Sequence, residues 1–457
     1  MVIAMEPDTS SDQRPVIPAS EILGKIERGE DVKYDGVIVE GDLDISGLEL
    51  PMEHVERTTF DKQLELSDNL KLINQQITIT NSEIRGIVNF SNTLFNKQIK
   101  FEGAMFSWEV NFLGAKFGEY AYFGRAEFGG HAYFNGVKFS GYANFGGTKF
   151  TELAIFRGVK FDRDAYFIEA KFGQGADFGR DEFGGHTLFI GAEFGRHGDF
   201  SETKFGVHTN FEKVGFREDA DFRNAKFGWY AGFEEAEFGG YANFERAEFG
   251  RSVDFDYDQF RQNLSFKYTK FARPRYQELV CRIAKRKMED LGNKNDADYY
   301  FYREMEAKRI QNGMKGIEQK AHQPSNNIRE RMSQFRDRMV QIPSKTKRFL
   351  IYDVLEYIFI QRIFGYGVRP FNVAKAWLSV VFFLGVVYWA GVGVVRGNEP
   401  LEWYEYFYFS IVTAATPGYA GYTPATGFYT LIAGAQAIFG TFMWAAFIAT
   451  FARKWQR

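Results

Sequence analysis

Residues 117–128 read FGEYAYFGRAEF, one period of a pattern that runs through the middle of the chain. From Phe90 to Phe271, phenylalanine recurs at alternating spacings of five and six residues, which accounts for 34 of the 50 phenylalanines in 457 residues. The residue two before each Phe is usually small, the residue just before it is often charged or polar, and Gly commonly follows. Such periodicity is typical of repeats that stack on one another.

A solenoid explains this spacing, whereas a helix or a flat strand does not. Residues five and six apart lie on mismatched faces of a helix, and the faces of a strand alternate every two residues. If each unit forms one side of a coil, its Phe and its small residue point inward, and Gly lies near the corners, where positive φ is cheap. Four sides give about 22 residues per coil and roughly eight coils from Phe90 to Phe271, stacked about 4.8 Å apart.

The repeat resembles the pentapeptide-repeat family, whose units read small-x-Phe/Leu-x-x. The resemblance implies a right-handed quadrilateral β-helix over residues 79–271 in the cytosol, with one added residue in every second unit that loosens one kind of corner. Residues 1–30 are predicted to be a flexible N-terminus. Residues 31–78 are predicted to be an N-terminal cap, in which 37–46 look like a first coil and 51–75 like an irregular excursion.

The predicted β-helix shows little chemistry of its own. His131, His186, His197 and His208 share one repeat position, and His186 and His208 would stack one coil apart. A metal site is one interpretation, but Tyr fills the same position in other units and favours an ordinary surface corner, so no metal is predicted. The net charge of −3, from 56 basic and 59 acidic residues, gives no support to nucleic-acid binding. We expect a scaffold, with an unknown cytosolic ligand or protein as its possible partner.

A basic helical linker is predicted over residues 272–348, followed by an amphipathic interfacial helix over 349–372. Arg275–Gln311 reads as two helices broken near Gly292. From Arg273 to Arg348 there are 19 basic and 10 acidic residues. Most of this stretch reads as a solvated linker, and its position before a hydrophobic region makes it a candidate contact for anionic headgroups.

Two membrane spans are predicted within residues 373–457. Ala376–Val395 is an uncharged run of 20 residues, enough for one transmembrane helix. A second uncharged run of 47 residues, 406–452, is broken by Gly and Pro into a half-helix, a loop and a full helix over 425–452. Basic residues flank the inner ends, so the positive-inside rule places both termini in the cytoplasm of a two-span cell-membrane protein. Non-helical backbone at this depth requires surrounding protein or a water-filled cavity.

The break in this run resembles the filter of the two-transmembrane potassium-channel family, which reads Thr-Val-Gly-Tyr-Gly-Asp with Pro three residues later. At the same length, and also followed by a Pro, this chain has Thr416, Pro417, Gly418, Tyr419, Ala420 and Gly421. The resemblance implies a pore domain with a re-entrant loop, whose backbone carbonyls replace the hydration shell of a cation. It implies a homotetramer, because one filter strand cannot encircle an ion.

The same resemblance suggests roles for residues around the filter. It places a gating hinge at Gly440, with Gly434 as the second candidate. Three acidic residues of the preceding loop are expected to concentrate cations at the outer mouth: Glu399, Glu402 and Glu405. The combination of pentapeptide repeats with this kind of pore is itself a recurring arrangement.

Three residues depart from the family's filter. Ala420 replaces a Gly whose left-handed conformation would cost Ala about 1–2 kcal/mol. Pro417 removes an amide N–H, and Gly421 replaces an acid. The predicted function is therefore a tetrameric cation channel, for potassium or weakly selective among monovalent cations. No enzyme is predicted, because no nucleophile–base pair or phosphate loop stands out. The alternative is a membrane-anchored β-helix scaffold with a non-conducting pore domain.

Overall fold

The computed structural model describes residues 14–255, 259–321, 356–397, 400–415 and 421–456. The chain divides into two compact units, Met1–Leu291 and Gly292–Arg457. The first contains a four-sided β-helix and the second is helical, with two helices long and apolar enough to cross a membrane. This is the mixed multi-domain architecture that the sequence predicts.

Each coil of the β-helix adds one strand to each of four parallel sheets, and equivalent residues pair 22 positions apart, as Phe106 does with Phe128. We number the sheets in the order in which a coil visits them. Sheet 1 contains Val16–Pro18, Ile38–Glu40, Glu83–Ile84, Met105–Phe106, Glu127–Phe128, Lys149–Phe150, Lys171–Phe172, Glu193–Phe194, Gly215–Phe216, Glu237–Phe238 and Gln259–Phe260. Sheet 2 contains Leu43–Asp44, Val88–Asn89, Val110–Asn111, Ala132–Tyr133, Leu153–Ile155, Gly175–Asp177, His197–Asp199, Ala220–Asp221, Ala242–Asn243 and Leu264–Ser265.

The other two sheets complete each coil. Sheet 3 contains Met52–His54, Asn69–Ile73, Thr93–Phe95, Lys116–Phe117, Lys138–Phe139, Lys160–Phe161, Glu182–Phe183, Lys204–Phe205, Lys226–Phe227, Glu248–Phe249 and Lys270–Phe271. Sheet 4 contains Val32–Asp35, Ile77–Thr80, Ile99–Lys100, Ala121–Tyr122, Ala143–Asn144, Ala165–Tyr166, Thr187–Leu188, His208–Asn210, Tyr230–Gly232 and Ser252–Asp254. The first strand of sheet 3, Met52–His54, is an exception to the parallel order, because it pairs antiparallel with Asn69–Ile73.

The predicted phenylalanine ladders fill the interior. Every ladder Phe from Phe90 to Phe255 is buried, and Ile79 and Ile84 continue the ladders as fully buried residues. Rings one coil apart stack closely, as Phe117 and Phe139 do at 4.7 Å between centroids and 7° between planes. Each such pair contributes about 0.5–1.5 kcal/mol beyond the area that it buries. The repeat therefore holds the coils in register through its aromatic core.

The two kinds of corner use glycine differently, and in several five-residue corners, such as those at Gly136 and Gly158, glycine has the expected positive φ. A five-residue corner closes with a turn, such as Ala126 N–H to Phe123 O at 3.0 Å, and its positive φ falls two residues after the Phe, where Arg125 stands. Glycines directly after Phe in six-residue corners, such as Gly118 and Gly129, do not have positive φ. A Cβ on Gly118 or Gly129 would lie 3.0–3.1 Å from a carbonyl oxygen of the preceding coil. These glycines thus permit close stacking of coils.

The N-terminal residues 14–30 form regular structure, so the prediction of a flexible segment over 1–30 is wrong for them. Val16–Pro18 pairs with Ile38–Glu40, and helix α1 (Ala19–Glu27) follows it directly. Ile22 and Ile26 of α1 are 0% and 1% exposed, because α1 packs on the first strands and covers their apolar residues. The excursion is also more regular than expected, since it contains Met52–His54 and helix α2 (Thr59–Gln63).

The linker helices match the prediction of two helices broken at Gly292. Helix α3 (Pro274–Asp290) ends before Gly292, which has φ +71°, and α4 (Lys294–Ala321) follows. The interfacial helix differs from expectation, because Glu356–Ile363 is a π-helix and Gly365–Gly367 a 3₁₀ turn.

The C-terminal region contains helices α5 (Pro370–Ala390), α6 (Trp403–Ala415) and α7 (Gly427–Gln456), with a short antiparallel pair between Val394–Val395 and Thr423–Pro424. Helix α5 begins six residues before the first predicted span, 376–395, and ends five residues before the end of that span. Pro370 fits the first turn of α5, because an N–H in that turn makes no hydrogen bond within the helix. Helix α5 ends where Tyr429 packs on Gly391 and Gly393.

Candidate functional site

Helix α6 lies between the two long apolar helices without being long enough to span a bilayer itself. Its 13 residues extend about 20 Å, against about 30 Å for the hydrocarbon core. Phe409 and Ser410 are fully buried and Ala414 is 2% exposed, because α6 packs against both α5 and α7. A short buried helix in this position is a re-entrant element.

A polar clamp made of Tyr388, Ser410 and Gln436 joins the three helices inside this apolar bundle. The Gln436 amide donates to the Ser410 carbonyl and hydroxyl oxygens at 2.9 and 2.7 Å, and the Tyr388 hydroxyl donates to Gln436 Oε1 at 2.9 Å. The Ser410 hydroxyl in turn donates to the Val381 carbonyl at 2.7 Å. All three side chains are at most 2% exposed. Buried polar groups satisfied in this way fix the position of α6.

The two predicted hinge glycines have different surroundings. A Cβ on Gly440 would overlap the backbone carbonyl of Ala414, the penultimate residue of α6. A Cβ on Gly434 would meet no atom within 4 Å. Gly440 therefore brings α7 into backbone contact with the end of α6, which is a packing role that the sequence did not reveal.

The predicted filter residues Thr416, Pro417, Gly418, Tyr419 and Ala420 lie outside the described residues. The chain on each side of them is fixed. Before them, α6 ends at Ala415. After them, Gly421 has φ +85° and is followed by the strand Thr423–Pro424 and by a hydrogen bond of 2.9 Å from Ala425 N–H to the Gly393 carbonyl.

The acidic residues predicted for the outer mouth are not equivalent. Glu399 lies outside the described residues. Glu405 accepts hydrogen bonds from Glu402 N–H at 2.8 Å and from the Tyr422 hydroxyl at 3.0 Å, and it pairs with Arg396 at 3.4 Å. Its side chain is only 14% exposed. Glu405 thus braces the chain just after Gly421. The sequence did not reveal its partners Arg396 and Tyr422, because they lie 9 and 17 residues away from Glu405 along the chain.

The long helices expose large apolar side chains in the single chain. On α7, Leu431 and Ile438 are each 76% exposed, and on α5 Phe382 and Phe383 are 64% and 65% exposed. Apolar surface of this extent requires lipid or other copies of the chain around it.

A second cluster lies where α4, the π-helix and the end of α7 meet within the second unit. Gln361, 4% exposed, accepts from Arg309 at 2.7 Å and donates to Glu306 at 3.1 Å. Arg369 stacks on the Tyr302 ring, 3.7 Å from its centroid. Arg453 near the end of α7 lies over Phe301 at 5.3 Å and donates to the Tyr366 carbonyl at 3.4 Å. The last turn of α7 is therefore tied to α4.

Of the four histidines that share this repeat position, His186 and His208 stack one coil apart, as predicted. The rings of His186 and His208 lie 5.6 Å apart, and burial together with the neighbouring His186 lowers the pKa of His208. Within the described ranges, no three His, Cys, Asp or Glu side chains are grouped so that they could hold a metal ion.

Comparison with known families matches both parts of the chain. The model described as pentapeptide repeats (9 copies) matches residues 101–149 and 145–193. The model described as an ion channel matches residues 376–457, which include most of α5 and all of α6 and α7. No curated protein and no solved structure matches the chain significantly. The chain is thus a membrane protein that joins a pentapeptide-repeat β-helix to a two-transmembrane ion-channel domain.

Proposed function

We propose that this chain is the subunit of a homotetrameric channel for monovalent cations, with potassium as the main permeant ion and a filter at Thr416–Gly421. The observation that carries the proposal is the short buried helix α6, which ends at Ala415 directly before this segment. A helix C-terminus carries partial negative charge, which favours a cation at that end. The segment's backbone carbonyls are the natural ligands for a dehydrated cation.

Four copies are proposed because one short segment supplies only one side of a ring of carbonyls. The exposed apolar residues of α7, such as Leu431 and Ile438, supply the surface that neighbouring copies would cover. The clamp at Gln436 and the brace at Glu405 hold both ends of the filter segment within each subunit. The proposed filter is weakly selective, because Pro417, Ala420 and Gly421 differ from the strict potassium pattern.

The proposed topology puts both termini and the β-helix in the cytoplasm, since basic residues flank the inner ends of α5 and α7. The β-helix then serves as a scaffold or regulatory module, and the contacts of α4 with Arg453 of α7 offer a mechanical route to the pore. Transport rather than catalysis is the activity that the ion-channel family supports.

The test is ion flux from full-length protein reconstituted into liposomes, under separate potassium, sodium and chloride gradients. We expect flux of potassium and, to a smaller extent, of sodium, with none of chloride. Absence of flux under all three gradients would leave the protein as a membrane-anchored scaffold and would contradict the proposal.

A further inference from the structure

An open groove of about 700 Å³ lies on the β-helix where the excursion after Met52–His54 crosses sheet 3. We call it the basic groove and define it by Arg57, Lys116, Lys138 and Lys160. Its lining has six basic residues in all and four acidic ones, Glu56, Asp61, Glu182 and Glu202. The three lysines come from adjacent strands of sheet 3, and Arg57 comes from the segment just before α2.

The excursion, which forms one wall of the basic groove, packs closely on the β-helix. Phe60 of α2 covers Gly158 and Leu66 covers Gly136, so closely that a Cβ on either glycine would overlap the covering side chain. Arg57 donates to the Ser67 and Gly114 carbonyls, both at 2.9 Å. Because Gly158 and Gly136 occupy positive-φ corners that need no side chain, the excursion can lie directly on them. The groove is therefore a built feature of the folded chain.

Sheet 3 has three lysines on consecutive strands at the basic groove, with no acidic residue between them. Lys116 pairs in register with Lys138, and Lys138 with Lys160, so like charges lie directly opposite one another, which is destabilising. At the other end of the groove, Lys160 and Lys204 flank Glu182 and both pair with it, so the unbalanced charge lies at Arg57 and Lys116.

Two of the four cations have no ion pair. Lys138 pairs with Asp162 at 2.9 Å. Within the described part of the chain, no carboxylate lies within 4.0 Å of the Lys116 amine or of the Arg57 guanidinium, and Arg57 is only 8% exposed. Burial lowers the pKa of both groups, and the nearby Arg57 and Lys138 lower that of Lys116 further, against smaller opposite effects of Asp61 and Glu53.

We propose that the basic groove binds a small anion with two or more phosphate groups, which lie against Arg57, Lys116 and Lys138. Such a ligand supplies the negative charge that the paired strands lack, and charge-assisted hydrogen bonds to phosphate are strong. The volume is in the range of small-molecule sites. The inference goes beyond the proposed channel activity and does not depend on it. A soluble polyphosphate and a phosphorylated lipid headgroup share this chemistry.

The test is calorimetric titration of the full-length protein in detergent with pyrophosphate and ATP, and separately with inositol trisphosphate as a headgroup probe. We expect at least one probe to bind, with affinity that falls at higher salt. Lys116→Gln should weaken binding at least tenfold, whereas Lys226→Gln, at the same strand position of sheet 3 outside the groove, should not change it. Preference for pyrophosphate and ATP identifies a soluble ligand, and preference for inositol trisphosphate identifies a headgroup.

A second readout separates loss of binding from loss of folding. Because Lys116→Gln removes repulsion among the groove cations, we expect it to raise the melting temperature of the ligand-free protein. No binding of any of the three probes to the native protein, or equal binding by the Lys116→Gln and native proteins, would overturn the proposal.

Discussion

Asp181 is a carboxyl group at an inward position of the β-helix, where neighbouring coils have Val159 and Thr203. It is fully buried, its Oδ1 accepts from Val159 N–H at 2.7 Å, and its Oδ2 has no hydrogen-bond partner among the described residues. Burial raises the pKa of Asp181 well above its ordinary value. The charged form is therefore disfavoured in the folded protein.

Asp181→Asn should stabilise the β-helix at neutral pH by about 1–3 kcal/mol, because an amide keeps the bond to Val159 without a buried charge. Because the folded-state pKa lies above the unfolded-state pKa, the native Asp181 is favourable below the unfolded value of about 3.9 and loses that stability as the pH rises. The gain from Asn should therefore shrink in acid. Thermal unfolding of both proteins from pH 4 to 8 measures this gain in stability. Asp181→Thr is a matched variant, because Thr203, at the equivalent position of the next coil, donates to the Phe178 carbonyl. A destabilised Asn variant at pH 7 would contradict this account.

Gly440→Ala and Gly434→Ala form a second matched pair. A methyl group at 440 overlaps the Ala414 carbonyl, whereas one at 434 meets nothing within 4 Å in the single chain. We expect Gly440→Ala to lower the melting temperature and abolish flux, and Gly434→Ala to preserve assembly and stability. Size-exclusion chromatography and liposome flux measure both. Equal tolerance of the two substitutions would show that Gly440 has no packing role.

At the scale of elements, the clamp holds α6 through side chains on three helices. Gln436→Leu should leave the Ser410 carbonyl and the Tyr388 hydroxyl without their partner, at a cost of about 1–3 kcal/mol for each unsatisfied buried group. We expect a less stable protein with reduced flux. Tyr388→Phe removes only one of the hydrogen bonds and should have a smaller effect. If the Gln436→Leu protein were as stable and as active as the native one, the clamp would be unnecessary.

The elements also show how far the sequence leads. The ladder was predictable because every Phe obeys one local period, and the half-helix before Thr416 because the uncharged run is too long for one span. The start of α5 was not predictable from the uncharged run, because that run begins after Lys375 and Lys375 lies within the helix. A lysine is tolerated there because its long side chain can extend along apolar surface toward water. Gln436, Arg396 and Tyr422 were missed because their roles arise from contacts between elements. The groove at Arg57 and Lys116 depends on an excursion that no repeat rule describes.

At the scale of the whole molecule, the proposed orientation places the loop between the spans outside and the C-terminus inside. The native Cys281 is buried, so introduced cysteines can be labelled against a low background. We expect Pro400→Cys to react with a membrane-impermeant thiol reagent on intact cells, and Lys454→Cys to react only after permeabilisation. Pro400 is exposed before the start of α6 and Lys454 lies in the last turn of α7, so little effect on folding is expected. The reverse labelling pattern would contradict the positive-inside argument.

The central claim is that ions pass through the segment that begins at Thr416. The most direct test is to compare potassium-to-sodium permeability ratios of the native, Thr416→Ala and Thr430→Ala proteins in liposomes. Thr430 is a matched control, because its exposed hydroxyl donates to the Thr426 carbonyl, just before α7. We predict a changed ratio for Thr416→Ala and an unchanged ratio for Thr430→Ala. A ratio that Thr416→Ala leaves unchanged would contradict the assignment of the filter.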